Sequence, residues 1–216
     1  MKIIYEDREL MVVYKEAGLA VETRRPLEKD LESLLKVYLA ERDGKAPELY
    51  LIHRIDQVVD GLVLFARTKK AAASLTAQLT DGSMEKIYLA RVGGRIPAEK
   101  GEITDWLLKD AKTNTSRIVP PGTRGAKRAC LSYERAGEDL LLIRLKTGRH
   151  HQIRVQLAGA GMPIKGDVKY GGEAAGRISG KGIFLTAAEL SFKHPGTGNE
   201  IRVKVPEITG KGTVKI

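Results

Sequence analysis

The run "GLVLFA" at residues 61–66 restricts the possible folds of this chain more than any other stretch. Its apolar residues follow one another instead of alternating, and the run is far too short to cross a membrane. It therefore reads as a strand covered on both faces. A strand covered twice demands packed layers on either side, and the rest of the chain offers them. "KIIYEDRELMVVYK" predicts two short strands around a polar turn. "LEKDLESLLKVYLAERDG" places apolar residues at 31, 34, 35 and 38, one helical face, with Gly44 positioned to end the helix. "TKKAAASLTAQL" predicts a helix capped by Thr68.

Further strands are expected in "EKIYLARVGG", "EDLLLIRLK", "GIFLTAAELSF" and "EIRVKV", and a short helix in "HQIRVQLAGAG", starting near His150. "KHPGTGN" reads as a turn between the last two strands. Strands outnumber helices and several are joined by short turns. The expected class is α+β, a mixed, largely antiparallel sheet with packed helices. The 216 residues suit a single domain spanning 1–216.

Charge narrows the partner. The chain carries 37 basic and 27 acidic residues, a net +10, which favours a polyanion through phosphate neutralisation and counterion release. Between Lys109 and Arg128 lie six basic residues (Lys109, Lys112, Arg117, Arg124, Lys127 and Arg128) against Asp110 alone. That stretch contains "PPGTRG", which reads as a loop: a basic, Gly/Pro-rich strap across a nucleic-acid backbone, or a solvated connection. No run of 18 or more apolar residues occurs, and the N-terminus has acidic residues within its apolar stretch. No membrane span and no secretory signal are expected. The lone Cys130 cannot form an intramolecular disulfide and reads as a small core residue in a cytoplasmic setting.

The chemistry-bearing residues do not fit the commonest catalytic patterns. His150 and His151 are adjacent and point to different faces, and no H-x-x-x-H or H-E-x-x-H spacing exists, so no metal is expected. No phosphate-binding G-x-x-x-x-G-K-[ST], no dinucleotide fingerprint and no G-x-S-x-G is present. A hydrolase built on Asp56 with His150 or His151 lacks any supporting spacing. Two places remain. "HRIDQVVDG" packs a histidine, an arginine and two aspartates against the mouth of the buried strand. "KTGRHHQIRVQL" crowds basic residues into a helix start, where they oppose the helix dipole. Asp56, Tyr88 and Arg154 make a sensible cofactor-free set: a carboxylate to act as nucleophile or base, a phenol to stack and move a proton, and a guanidinium to keep the carboxylate ionised.

These segments resemble the RluA-type pseudouridine synthases. "HRIDQVVDGLVLFART" is similar to the family's H-R-L-D-x-x-T-S-G-L-L-L-F-A-K-T, and "KIYLARVGG" to its K-x-Y-x-A-x-V-x-G. "LKTGRHHQIRVQLAGAGMPIKGDVKYGG" is similar to L-x-T-G-R-x-H-Q-I-R-x-H-L-A-x-x-G-x-P-I-x-G-D-x-x-Y-G. The opening and closing strands also match, so the resemblance spans nearly the whole chain in order. It implies the pseudouridine synthase fold and isomerisation of uridine to pseudouridine in RNA, ribosomal or transfer, without metal or cofactor. It puts Asp56 on the catalytic aspartate, Tyr88 on the tyrosine that packs on the base, and Arg154 on the arginine that pairs with the aspartate. Arg54 falls on the arginine that helps fill the space left by a flipped nucleotide. His53, Lys86, Arg149, His151 and Gln152 are the remaining RNA-binding candidates. The resemblance leaves open whether Asp56 attacks C1′, attacks the base or removes a proton. Family members often carry an N-terminal S4 domain; this chain is expected to be a stand-alone, monomeric catalytic domain.

The chain also departs from the family pattern. Val59-Asp60 replaces Thr-Ser, Tyr14 replaces a common asparagine before Lys15, Gln156 replaces a histidine, and Leu185-Thr186 stands where Leu-His is frequent. If Asp60 points inward, a second carboxylate near Asp56 would raise the pKa of the first; if outward, it is a turn residue. The alternative to an active enzyme is a degenerate relative that binds RNA, or acts as an RNA chaperone, without modifying it.

Overall fold

A computed structural model describes residues 2–23, 25, 28–173 and 182–205. The strands and helices run in the order β1 (Lys2–Glu6), β2 (Leu10–Lys15), α1 (Leu31–Asp43), β3 (Tyr50–Leu51), β4 (Asp60–Ala66), α2 (Lys69–Asp81), β5 (Glu85–Arg91), β6 (Lys100–Asp110), β7 (Thr115–Val119), β8 (Lys127–Arg135), β9 (Leu140–Leu145), α3 (Gln152–Gly159), β10 (Leu185–Lys193) and β11 (Glu200–Lys204). A 3-10 turn covers Val168–Tyr170. The chain divides into two compact units, one within Met1–Met84 and Ala187–Ile216, the other within Glu85–Thr186. The α+β expectation holds: strands dominate, with three α-helices among the described residues. No helix among the described residues is long and apolar enough to cross a membrane.

In the first unit the strand order is β1-β2-β4-β10, with β11 on β10 and β3 on β4. The β1–β2, β2–β4, β3–β4 and β10–β11 ladders are antiparallel. Every residue of β4 is buried, as its unbroken apolar run predicts. One cluster joins Leu10 and Val12 of β2, Leu62 and Leu64 of β4, Ala71 and Leu75 of α2, and Leu190 and Phe192 of β10. The two helices are set by their ends. Asp30 caps α1 by accepting the Ser33 N–H at 2.7 Å, and Gly44 closes it in the left-handed region. Thr68 Oγ1 accepts the Ala71 N–H at 3.1 Å at the start of α2. The buried face of α1 is Leu31, Leu35 and Leu39, one step round from the face read in the sequence. Tyr38 is exposed instead, its ring lying 5.4 Å from the Arg42 guanidinium carbon. That contact with a cation suits an aromatic surface left wet.

Gly61 ties β4 to β10. Its φ of +121° is open to glycine, and a β-carbon there would lie 2.3 Å from the carbonyl oxygen of Ala187. The two backbones touch because position 61 has no side chain.

The second unit is an antiparallel sheet in the order β5-β9-β8-β6-β7. α3 packs beside β6 and β7. The loop expected at "PPGTRG" lies between β7 and β8. Of the basic residues around it, Lys109 lies near the end of β6, Lys112 in the turn between β6 and β7, Arg117 in β7 and Arg124 in that loop, while Lys127 and Arg128 open β8. β6 escaped the sequence because "KGEITDWLLKD" alternates between exposed and half-buried positions, with Gly101 and Asp105 on its inner side. Its partner β8 supplies the apolar face, through Leu131 opposite Ile103 and Ala129 opposite Asp105. Cys130 is buried in β8, as expected.

Candidate active site

Asp56 lies in the loop entering β4, half-buried, between exposed Arg54 and exposed Gln57. The loop is held by main-chain bonds and one lysine. The Gly18 N–H donates to the Gln57 carbonyl at 2.7 Å, and Gln57 Nε2 donates back to the Gly18 carbonyl at 3.0 Å. The Val59 N–H closes a turn onto the Asp56 carbonyl at 3.0 Å. Lys15, at the end of β2, has no exposed surface. Its Nζ donates to the carbonyls of Leu19 at 2.8 Å, Glu16 at 3.1 Å and Gln57 at 3.2 Å. Burial pulls the Lys15 ammonium down to about 8, opposed by the carboxylates of Asp60 and Asp56.

Asp60 points inward. It is 6% exposed, and its Oδ2 accepts the Tyr14 hydroxyl at 3.0 Å. The two departures from the family pattern at positions 14 and 60 therefore meet each other, beside a buried cation. An open groove of about 470 Å³ runs along Val21, Glu22, Arg54, Ile55 and Gln57. On it Arg54 forms an ion pair with Glu22, and the Arg54 side chain remains largely in solvent. His53, beside it, is buried.

The second unit carries the other candidates. Tyr88 is buried in β5, opposite Ile143 of β9. Lys86, two residues before it, is also buried, and burial lowers its pKa. Its Nζ lies near Gly148, 3.9 Å from where a β-carbon would stand.

The Thr147–Gln152 segment is built around its own side chains. Gln152 Oε1 accepts from Thr147 Oγ1 at 2.7 Å and from the Arg149 N–H at 2.9 Å. Gln152 Nε2 donates to the Cys130 carbonyl at 3.1 Å. Gln152 thus shapes the turn from inside, while Arg149 is exposed, its Nε bonded to the Arg128 carbonyl. The helix begins at Gln152, two residues later than the sequence suggests, because His151 adopts a left-handed φ of +51° before it. A non-glycine residue there is uncommon and is held by its surroundings. The His150 ring stacks on His151 at 3.8 Å, and His151 Nδ1 lies 2.7 Å from the Tyr170 hydroxyl. Tyr170 also accepts the Ser116 N–H at 2.8 Å. Burial, then the positive charges of Arg154, His150 and Lys169, push the His151 imidazole down to about 3. It is neutral at physiological pH.

Arg154, on the buried side of α3, forms a two-pronged ion pair with Asp167. Nε reaches Oδ2 at 2.7 Å and Nη2 reaches Oδ1 at 2.8 Å. Both side chains are almost wholly enclosed, and the guanidinium carbon sits 5.0 Å from the Tyr170 ring centre. Gln156, where the family has histidine, is fully buried and donates to Asp105 Oδ2 at 2.8 Å, tying α3 to β6.

Asp167 and Tyr170 stand within the "GDVKYGG" motif and Lys15 beside Tyr14, but no sequence pattern marks what they hold. Their signal was weak, since each acts on a functional residue distant in sequence. Among the described residues no group of three or more His, Cys, Asp or Glu side chains is placed to hold a metal ion.

The RNA pseudouridylate synthase family model matches residues 9–159. The ribosomal large subunit pseudouridine synthase C of Yersinia pestis is 35% identical over 211 residues, covering 94% of this chain and 65% of that protein. Its Escherichia coli K12 counterpart is 35% identical over 213 residues, with 94% and 66% covered. The chain thus spans about two thirds of the length of these curated relatives. The human RNA pseudouridylate synthase domain containing 4 shares the fold, with a TM-score of 0.75 at 20% identity, over 95% of this chain and 88% of that one. This chain belongs to the RNA pseudouridylate synthase family.

Proposed function

We propose that this protein isomerises uridine to pseudouridine in structured RNA, with Asp56 as the catalytic carboxylate. The observation that carries the reading is the anchoring of the Asp56 loop. In a chain of this family, a half-buried carboxylate sits in a loop that a fully buried lysine holds at the carbonyl of the next residue, Gln57, and is flanked by an exposed arginine on an open groove. Catalytic groups work when a rigid shell fixes them, and Lys15 with the Gly18–Gln57 bonds supplies that shell. The uracil must leave C1′, turn while held and rejoin through C5, which asks for positioning and proton movement and for no redox step. Tyr88 is proposed to pack on the base, and Arg154, set by Asp167, to supply positive charge to the same reaction.

A uridine inside a stem is out of reach unless it leaves the stack, at a cost of a few kcal/mol. Arg54 is proposed to occupy the space it vacates. Arg149 and the Lys109–Arg128 strands and loop add phosphate contacts. Because the Yersinia and Escherichia relatives are named for the large ribosomal subunit, large-subunit ribosomal RNA is the proposed substrate ahead of transfer RNA. The protein is proposed to act as a cytoplasmic monomer.

The test is carbodiimide labelling and primer extension on unmodified ribosomal and transfer RNA treated with wild-type protein or Asp56→Ala. New stops with wild type alone are expected. Tight, salt-sensitive binding without stops from either protein would overturn the reading.

A further inference from the structure

Trp106, the sole tryptophan of the chain, lies on β6 with exposed arginines on both neighbouring strands. The ladders pair it with Val119 of β7 and Arg128 of β8, and Arg117 stands two residues before Val119, on the same face. We propose that this face of the β6, β7 and β8 strands is a stacking platform for an unpaired nucleotide of the RNA: the Trp106 indole takes the base, and Arg117 and Arg128 take the flanking phosphates. The proposal rests on RNA being the substrate, and it adds a second RNA contact away from the reacting uridine.

Strand alternation decides which side is which. Leu107 packs with Val155 of α3 and with Tyr170, and Ile118, its partner on β7, lies against Gly159 of α3. Those residues face the helix, so Trp106, Leu108, Arg117, Val119 and Arg128 face away from it. Tyr88 belongs to the helix side. It pairs with Ile143, Ile143 pairs with Tyr133, and Tyr133 is an even number of residues along β8 from Ala129, a member of the Leu107 cluster. Trp106 and the tyrosine proposed to pack on the target base thus occupy opposite faces of one sheet.

The face is apolar at its centre and cationic around it. Trp106 and Leu108 are half-buried, and Val119 is buried beside them. A β-carbon on Gly125 would lie 3.5 Å from Leu108 Cδ1, so the loop that carries Arg124 borders this face. Arginines elsewhere are held by carboxylates: Arg42 and Arg67 by Glu6, Arg91 by Asp139, Arg135 by Glu99. Among the described residues, no side chain of the six cations from Lys109 to Arg128 has a hydrogen-bond or ion-pair partner. The carboxylates that β6 offers on this side are engaged, Glu102 by Lys146 at 2.6 Å and Asp110 by the Lys112 and Thr113 N–H groups. Cations left without carboxylates, in a molecule that pairs its others, are available to phosphates. An aromatic ring set among them suits an unpaired nucleotide, since every base has a face to stack. RNA supplies both at each residue, a base to stack and a phosphate to pair.

Because Trp106 is the sole indole, its fluorescence reports the contact directly. The probe is a short oligoadenylate, which contains no uridine to modify, titrated into the whole chain across a salt series. Quenching of the Trp106 emission is expected, and less of it with an RNA duplex of the same length. Trp106→Ala should weaken oligoadenylate affinity in filter binding about 10-fold, within the range for loss of one stacked base. Arg117→Gln/Arg128→Gln should also weaken it, and should flatten the slope of log affinity against log salt by about 1.4, for two single-strand phosphate contacts at about 0.7 each. On structured substrate RNA, Trp106→Ala should raise KM with kcat unchanged, because the contact is the same before and during the reaction.

If Trp106→Ala fails to fold, Trp106→Tyr and the arginine pair variant carry the binding test, and the quenching in wild type needs no variant. Oligoadenylate bound with unchanged Trp106 emission overturns the platform, as does a folded Trp106→Ala that binds it like wild type. Emission that responds to no RNA overturns it too and leaves the face to a protein partner. A fall in kcat at constant KM would place Trp106 in the catalytic scaffold and overturn the platform. Quenching by oligoadenylate in a protein that makes no pseudouridine overturns the catalytic reading alone; pseudouridine formation without quenching overturns the platform alone.

Discussion

Arg154 and Asp167 hold each other by two parallel hydrogen bonds in the interior of the second unit, and Tyr170 covers the guanidinium. The geometry needs a planar, forked donor, so lysine is not an equivalent replacement. Arg154→Ala leaves Asp167 buried without its partner and is expected to cost on the order of 3–5 kcal/mol of stability. The double variant Arg154→Ala/Asp167→Ala should recover part of that loss in a thermal melt while remaining inactive. Equal melting temperatures for wild type and Arg154→Ala would show the pair to be structurally idle.

His151 predicts an acid dependence. Its imidazole is held at about 3 in the fold, against about 6.5 for a free side chain. Above the free value both states are neutral there and stability is unaffected. As pH falls below it, the unfolded chain takes a proton that the folded chain refuses, so stability is lost progressively between about 6.5 and about 3. In His151→Gln this contribution is absent. Melting curves from pH 7.5 to 4.5 should therefore show the wild type falling more steeply than the variant; parallel curves would remove His151 as a cause.

If Arg54 meets RNA as proposed, Glu22 is expected to compete for it. The ion pair is largely solvent-exposed, so it contributes only about 0–1 kcal/mol. Glu22→Gln frees the guanidinium and removes a negative charge from the groove. RNA affinity should rise by up to about 5-fold at low salt, by that same energy, with the gain fading as ionic strength increases. Filter binding across a salt series measures it, and an unchanged or weaker affinity would count against a role for Arg54 at the RNA.

Gly61→Ala would place a methyl group 2.3 Å from the Ala187 carbonyl oxygen, at a φ of +121°. Both the contact and the dihedral are penalised, and a destabilisation of about 3–5 kcal/mol is expected. Chemical denaturation resolves a change of that size. Leu62→Val, next in the strand and free of the backbone constraint, should cost about 0.5–1.5 kcal/mol.

Much of the architecture was readable from local patterns. β4, α1 and α2 announce themselves by an unbroken apolar run, a helical face and two caps. β6 and β7 do not, because their partner strand supplies most of the apolar burial and their own residues alternate weakly. Asp56, Tyr88 and Arg154 could be named from motifs, but what holds them could not. Asp167 stands thirteen residues beyond Arg154 and meets it only once α3 and the 3-10 turn are folded. Asp60 was legible as an anomaly with two opposite meanings. Only the β2–β4 register, which brings Tyr14 alongside, decides that it faces inward.

The contact between Gly61 and Ala187 is main chain against main chain. Side-chain packing can be repaired by compensating changes of size elsewhere in a core, but a backbone contact offers nothing to exchange. The approach of the Asp56 loop to the sheet is thus referenced to a fixed mark that drift in the surrounding apolar residues does not move. With such a mark, a Leu, Ile or Val exchange elsewhere in β4 and β10 costs stability without displacing the carboxylate.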